Sequence, residues 1–275
     1  MQTPVSGKFL SIDGQRTHYL LAGSGKRHVI LVHGFASLAQ EIAAAFPGEN
    51  DFTFIAVDRA GYGYSDPIRK GGRGPAGQAR RLAQFLDALN ERHCIVVAHS
   101  MGASTALWLS RRRPDLVSDL LLIAPYCRPT RHWGFPILRA LANPVLARLI
   151  NKHLLPSLVQ AIGPRFLKSA LFPNPMPKHL ENFPFEHAGN PTAVRAMADE
   201  LLAFASDMND LDPHSGRTSI RIVCGTEDKV APPHWHLDWL SQLHYGGDPV
   251  VLEGTGHAPH HAMPERISGL LRQWA

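Results

Sequence analysis

Two kinds of apolar spacing alternate along the chain. Residues 9–13 and 17–22 are short extended runs parted by Gly14 and Gln15, the signature of a hairpin. Beyond them, 28–32, 52–57 and 94–98 are apolar, β-branched stretches without polar alternation, as strands of a parallel sheet covered on both faces require. Helical spacing follows: within 77–89, Ala79, Leu82, Ala83, Phe85 and Leu86 share one face, and a helix opening at Gly102 ends before Pro114. Residues 120–124 repeat the strand pattern. The alternation then stops until 220–224 and 249–252, two further core strands on either side of a helix at 235–243, and a last helix occupies 264–274. The pattern predicts an α/β fold: a doubly wound, mostly parallel eight-stranded sheet flanked by helices. Residues 1–127 and 218–275 would form the core domain, and 128–217 an inserted helical cap.

Composition narrows the class. With 44% hydrophobic and 19% charged residues the chain is not disordered, and a net charge of +5 does not by itself call for a nucleic-acid partner. Three cysteines cannot all pair, and Cys94 and Cys224 sit in apolar strand-like runs, so reduced thiols and a cytoplasmic location are expected. The N-terminus lacks a continuous apolar segment, and no run approaches the roughly 18 residues of a spanning helix, so neither export nor a membrane span is expected.

The chemistry concentrates after the fifth run. Residues 94–104, Cys-Ile-Val-Val-Ala-His-Ser-Met-Gly-Ala-Ser, pass from strand through a sharp turn into helix with Ser100 at the apex, where the helix N-terminus aims amide N–H groups at developing negative charge. Ala98 stands where G-x-S-x-G has its first glycine. Taken with His33-Gly34-Phe35 and with Asp58-Arg-Ala-Gly61-Tyr-Gly63-Tyr-Ser65, this segment resembles the α/β-hydrolase superfamily over nearly the whole chain outside the insertion. The resemblance implies that Ser100 is a nucleophile and that the backbone N–H groups of Phe35 and Met101 form an oxyanion hole. His257, in Gly-Thr-Gly-His after the last strand, falls at the same sheet edge and is the candidate base; Asp228, on the loop after the preceding strand, is its candidate orienting acid. Its neighbour Glu227 could be confused with it, whereas 124–130 holds no carboxylate and closes the earlier-strand alternative. Gly61-Tyr-Gly63 lacks the third glycine of a dinucleotide fingerprint. The pairs His234/His236 and His260/His261 have no ligand spacing and read as surface or helix histidines, so neither metal nor cofactor is expected.

In position the insertion resembles the superfamily's substrate-choosing cap. Its apolar residues would divide between its own core and an acyl or alkyl pocket; Trp133, Phe135, Phe166 and Phe172, with His33, Gly34 and His99 of the core, are the candidate substrate contacts. From Leu120 to Leu180 there is no Asp or Glu but eight Arg and Lys, and from Glu181 to Asp212 the sign reverses. Either the two halves pair their charges, or the basic half approaches an anionic lipid surface or an acidic substrate. The expected activity is hydrolysis of small to medium, mainly apolar carboxylic esters. Rival readings are a carbon–carbon bond hydrolase of vinylogous diketone acids and a non-catalytic ligand-binding protein on the same scaffold; relatives that open halides or epoxides place Asp where Ser100 stands.

Overall fold

A computed structural model describes residues 6–46, 51–130, 135–143, 145, 155–211, 218–243 and 248–274. Eight strands form one sheet: β1 (Lys8–Ile12), β2 (Gln15–Gly23), β3 (Arg27–Val32), β4 (Phe52–Val57), β5 (Cys94–His99), β6 (Val117–Ile123), β7 (Ser219–Gly225) and β8 (Val250–Leu252), in the spatial order β1-β2-β4-β3-β5-β6-β7-β8. β1 and β2 pair antiparallel, β2 joins β4 antiparallel, and from β4 to β8 every pairing is parallel. The hairpin register pairs Ile12 with Gln15, so the turn is Asp13-Gly14, both at positive φ, one residue earlier than the sequence reading placed it. Asp-Gly supplies the left-handed geometry that a two-residue turn between twisted strands demands.

The central strands are buried on both faces, as their unbroken apolar runs require. One face packs on α2 (Pro75–Ala88) and α3 (Met101–Arg112), through Leu82, Phe85, Leu86, Ala103 and Leu107; the other on α1 (Ala39–Ala44) and α10 (Pro264–Arg272), through Ile42, Ile267 and Leu271. β8 departs from the expected core strand: it closes one end of the sheet and Val251 is 49% exposed. Cys94, Cys127 and Cys224 are free and buried, and burial pushes the Cys94 and Cys224 thiols up to about 12.

Between β6 and β7 lie α4 (Phe135–Ala142), α5 (Leu155–Leu171), a 3-10 turn (Lys178–Leu180), α6 (Phe185–Ala188) and α7 (Pro191–Asn209); α8 (Pro233–Leu240) and α9 (Pro259–Ala262) follow on the core side. α7 ties the inserted helices to the sheet domain by charge. Asp199 pairs with Arg73 at 2.9 Å, Asp207 accepts the Ala76 amide at 2.9 Å, and the fully buried Glu200 binds Arg59 at 2.5 Å and accepts the Tyr62 hydroxyl. The acidic half of the insertion therefore spends these charges on the core, and among the described residues no ion pair joins it to the basic half. Desolvation opposes the charged form of Arg59, but Glu200 outweighs it and holds the guanidinium ionised. Glu200→Ala would leave that cation buried and unpaired, and denaturant unfolding should report a loss of about 3–5 kcal/mol, partly recovered on adding Arg59→Met. A loss under about 1 kcal/mol would mean that water reaches Arg59 and screens it.

Candidate active site

Ser100 sits between β5 and α3 at φ 52° and ψ −122°, a left-handed geometry that a side-chain-bearing residue adopts only when its surroundings enforce it, at a cost of about 1–3 kcal/mol. The enforcement is visible. Its amide donates to the Ile123 carbonyl at 2.9 Å, and its own carbonyl accepts from Ala103 and Tyr126, both at 3.0 Å. Two glycines make room for the turn. A Cβ on Gly102 would stand 2.6 Å from the Val32 carbonyl oxygen, so α3 closes on β3 only with glycine there; one on Gly34 would meet the Ser100 Cβ at 3.0 Å. Ala98, by contrast, sits in the core with its methyl accommodated.

The loops after β7 and β8 bring two more side chains to the same edge. His257 Nε2 lies 2.9 Å from Ser100 Oγ, and His257 Nδ1 lies 2.8 Å from Asp228 Oδ2, all three residues being buried. The other carboxylate oxygen of Asp228 accepts the amides of Val230 and Ala231 at 2.9 and 2.8 Å, which fixes the rotation of the carboxylate. Glu227 is exposed and takes no part beyond its amide, which donates to the Thr255 carbonyl. The His257 loop is gripped from the insertion: its amide donates to Ala170 O of α5 at 3.0 Å, and Asn174 holds the Gly256 amide and the Gly254 carbonyl. With its Nδ1–H directed at a carboxylate, the imidazole presents an Nε2 lone pair to the serine hydroxyl, the arrangement that converts a weak nucleophile into a strong one.

Met101 is the first residue of α3, so its N–H has no partner within the helix, and neither it nor the Phe35 N–H donates to a backbone acceptor in the described loops and turns. The loop carrying Phe35 is pinned through Gly34, whose carbonyl accepts from Arg59 Nη2 at 3.0 Å and from His33 Nδ1 at 2.9 Å. The two candidate substrate contacts His33 and His99 have protein partners here. The His33 ring is fully buried, accepts the Arg59 amide at Nε2, and is held neutral by burial at about 4. His99 likewise turns inward, donating from Nε2 to the His257 carbonyl at 2.8 Å, with burial pushing its pKa well below the usual range. Both rings serve the backbone of the site. Of the remaining candidate contacts, Gly34 lies against Ser100, Phe166 and Phe172 are 42% and 53% exposed, and Trp133 and the Phe135 side chain lie outside the described residues.

The histidines read as surface or helix residues do lie in α8 and α9, with His234 exposed, but the other three are buried. His236 is buried and accepts the Cys127 and Arg128 amides at 3.2 Å, and His260 and His261 are buried against Glu41, at 3.1 and 2.6 Å. Glu41 also accepts the Ser37 hydroxyl at 2.7 Å, and its carboxyl is held well below the usual range: desolvation opposes the charge, and the hydrogen bonds from His260 and His261 overcome it. Burial lowers His260 to about 4, so it stays neutral beside that anion, its ring 4.4 Å from the His99 ring. One donor atom each from Glu41, His99 and His260 lies within 4.8 Å of the others, a spacing a metal ion could draw together. Glu41 is engaged by Ser37 and His261 and His99 Nε2 by the His257 carbonyl, whereas His260 reaches only Glu41 and the buried Nδ1 atoms of His99 and His260 have no hydrogen-bond partner among the described residues; the cluster stands behind His257. The sequence signal for it was a lone acid, Glu41, in an otherwise apolar segment.

Comparison with known proteins agrees with this architecture. The chain is 27% identical to a 2-hydroxymuconate semialdehyde hydrolase of Pseudomonas putida, over 99% of this chain and 95% of that protein. It is 26% identical to a pimeloyl-[acyl-carrier protein] methyl ester esterase of Neisseria meningitidis serogroup B, over 95% of this chain and 93% of the relative. An esterase from Exiguobacterium antarcticum superposes with a TM-score of 0.74 at 21% identity, covering 98% of both chains. The family model described as "Alpha/beta hydrolase family" matches residues 29–270, the parallel part of the sheet from β3 to β8 without the β1–β2 hairpin, and the chain belongs to that family.

Proposed function

We propose that this hydrolase cleaves carboxylic esters, with mainly apolar acyl groups of small to medium size, by way of an acyl-enzyme on Ser100. The observation that carries the reading is the unbroken hydrogen-bonded line from Ser100 Oγ through His257 to Asp228. Ser100 Oγ attacks the ester carbonyl while His257 Nε2 takes its proton, and the oxyanion is received by the Phe35 and Met101 N–H groups, each donor worth about 3 kcal/mol of barrier. Collapse expels the alcohol, which leaves with the proton from His257. Water, deprotonated by the same nitrogen, attacks the acyl carbon; Ser100 departs with the proton and the carboxylic acid is released. The steps use protein groups and water alone.

A carbon–carbon hydrolase acting on a vinylogous acid would use the same three residues, and the Pseudomonas putida relative keeps that reading in view. An ester is favoured because the buried cation beside the site, Arg59, is neutralised by Glu200 and is not available to a substrate carboxylate. The test is a series of p-nitrophenyl esters from acetate to palmitate. Multiple turnover is expected, with a maximum at short to medium chains. Silence on every ester while a fluorophosphonate still labels Ser100 would overturn the ester assignment in favour of carbon–carbon cleavage, and silence with no labelling would leave a ligand-binding protein.

A further inference from the structure

We propose that the outward face of α5 is a docking surface for anionic lipid. An ordinary surface helix turns its apolar stripe inward and its polar residues to water. α5 does seat one face: Leu171 packs with Leu38, Leu180 and Phe183, while Val159 and Gly163 lie against Gly189 and Phe185. The opposite face is apolar as well. Leu158, Ile162 and Phe166 follow one another at i, i+4 and i+8 and are 50%, 52% and 42% exposed, a stripe about 12 Å long at 1.5 Å per residue. Phe172, 53% exposed, extends it past the helix end.

The charges on this face have one sign. At about 100° per residue Arg165 borders the stripe, about 20° round from Leu158, and Lys168 lies about 80° round from Leu158 on the same side; both are exposed, and Lys229 stands 5.1 Å over the Phe172 ring. Neither Arg165 nor Lys168 joins an ion pair among the described residues; Arg165 reaches only the Ala161 carbonyl of its own helix. The acids that could have neutralised them, Asp199, Glu200 and Asp207, are engaged by the sheet domain. Large apolar side chains bordered by unpaired cations, on a helix lying flat against its domain, match the interface between headgroups and acyl chains, where the ring and alkyl groups enter the apolar boundary and the cations meet lipid phosphates. A soluble polyanion would use the cations and leave the stripe in water. The inward side of the same helix reaches the candidate site, because Ala170 and Asn174, at and just beyond the end of α5, hold the His257 loop. An ester carried by a lipid surface would thus be delivered beside Ser100.

Docking does not depend on turnover, so it is tested on the Ser100→Ala protein, which separates its failure from failure of the hydrolase reading. Co-sedimentation with vesicles of phosphatidylcholine alone, and of phosphatidylcholine with phosphatidylglycerol, should give binding to the anionic vesicles at low salt and little at high salt. Arg165→Gln and Lys168→Gln should each weaken it about fivefold, and Phe166→Asp at least about tenfold. All three positions are exposed, and unchanged circular dichroism confirms each fold. Absence of binding to anionic vesicles at low salt, equal binding to neutral vesicles, or wild-type binding by the variants would overturn the proposal. Sensitivity to the cations but not to Phe166 would assign the face to a soluble polyanion and overturn it too.

Discussion

Ser100→Ala should lower kcat on p-nitrophenyl esters by about 10⁴- to 10⁶-fold, leave KM within a few-fold and abolish fluorophosphonate labelling. The substitution removes one oxygen from a position whose backbone geometry is set by the amides and carbonyls of Ile123, Ala103 and Tyr126, so the turn and the N–H groups proposed to receive the oxyanion survive it. The residue of rate above the uncatalysed reaction, about 10³- to 10⁴-fold, would then measure what those N–H groups and substrate binding contribute without a nucleophile. Two nearby serine hydroxyls are already engaged. Ser104 donates to the Met101 carbonyl at 2.7 Å and Ser37 donates to Glu41, and both are buried in those bonds. Retained multiple turnover would therefore place the nucleophile outside this edge of the sheet and remove the mechanism. The variant should unfold cooperatively near the wild-type midpoint, because only the neutral His257 Nε2 loses its partner while His257 still donates to Asp228.

What could be read from the chain and what could not divide along sequence distance. The strands and their flanking helices are local patterns, and so is the elbow: a strand, a serine and a glycine two residues later, where the glycine is required by the approach of α3 to the Val32 carbonyl. The meeting of Ser100, Asp228 and His257 was legible because each follows a recognisable strand, and the parallel order of β5, β6, β7 and β8 brings the ends of those strands to one edge. The hairpin turn was misplaced by one residue because Gly14 is equally compatible with Asp13 or Gln15 as its turn partner until the pairing register is known. β8 looked like core because its residues are apolar; that it closes the sheet and leaves Val251 in water depends on the strand order. The burial of three helix histidines was hidden for a deeper reason. Nothing near His260 or His261 marks them as buried, since their partner Glu41 lies 219 and 220 positions away, and Glu200 lies 141 from Arg59. Likewise the sign reversal inside the insertion was visible, but it does not reveal that the acids would turn to Arg59, Arg73 and the Ala76 amide and leave the basic helix facing outward.

The second large effect is expected at Asp228, where a single change of atom type should reverse a tautomer. Oδ1 accepts two backbone N–H groups, from Val230 and Ala231, and Oδ2 faces His257 Nδ1. In Asp228→Asn the amide oxygen must occupy the Oδ1 position, because an NH₂ there would set donors against two donors in a buried loop, at a cost of about 1–3 kcal/mol for each unsatisfied group. The NH₂ is thereby aimed at His257 Nδ1, which can receive it only with a lone pair, and the ring proton moves to Nε2. An imidazole protonated at Nε2 cannot accept the hydroxyl proton of Ser100, 2.9 Å away, so the nucleophile stays neutral. We expect kcat to fall about 10⁴-fold at neutral pH with the fold intact. Glu227→Gln is the internal control: its side chain is exposed, and turnover should remain within about twofold of wild type. A tenfold loss or less in Asp228→Asn, or an equal loss in Glu227→Gln, would mean that the imidazole is oriented by something other than this carboxylate. The support of His257 would then rest on its carbonyl, held by His99 at 2.8 Å, and on the Glu41 and His260 pair behind it.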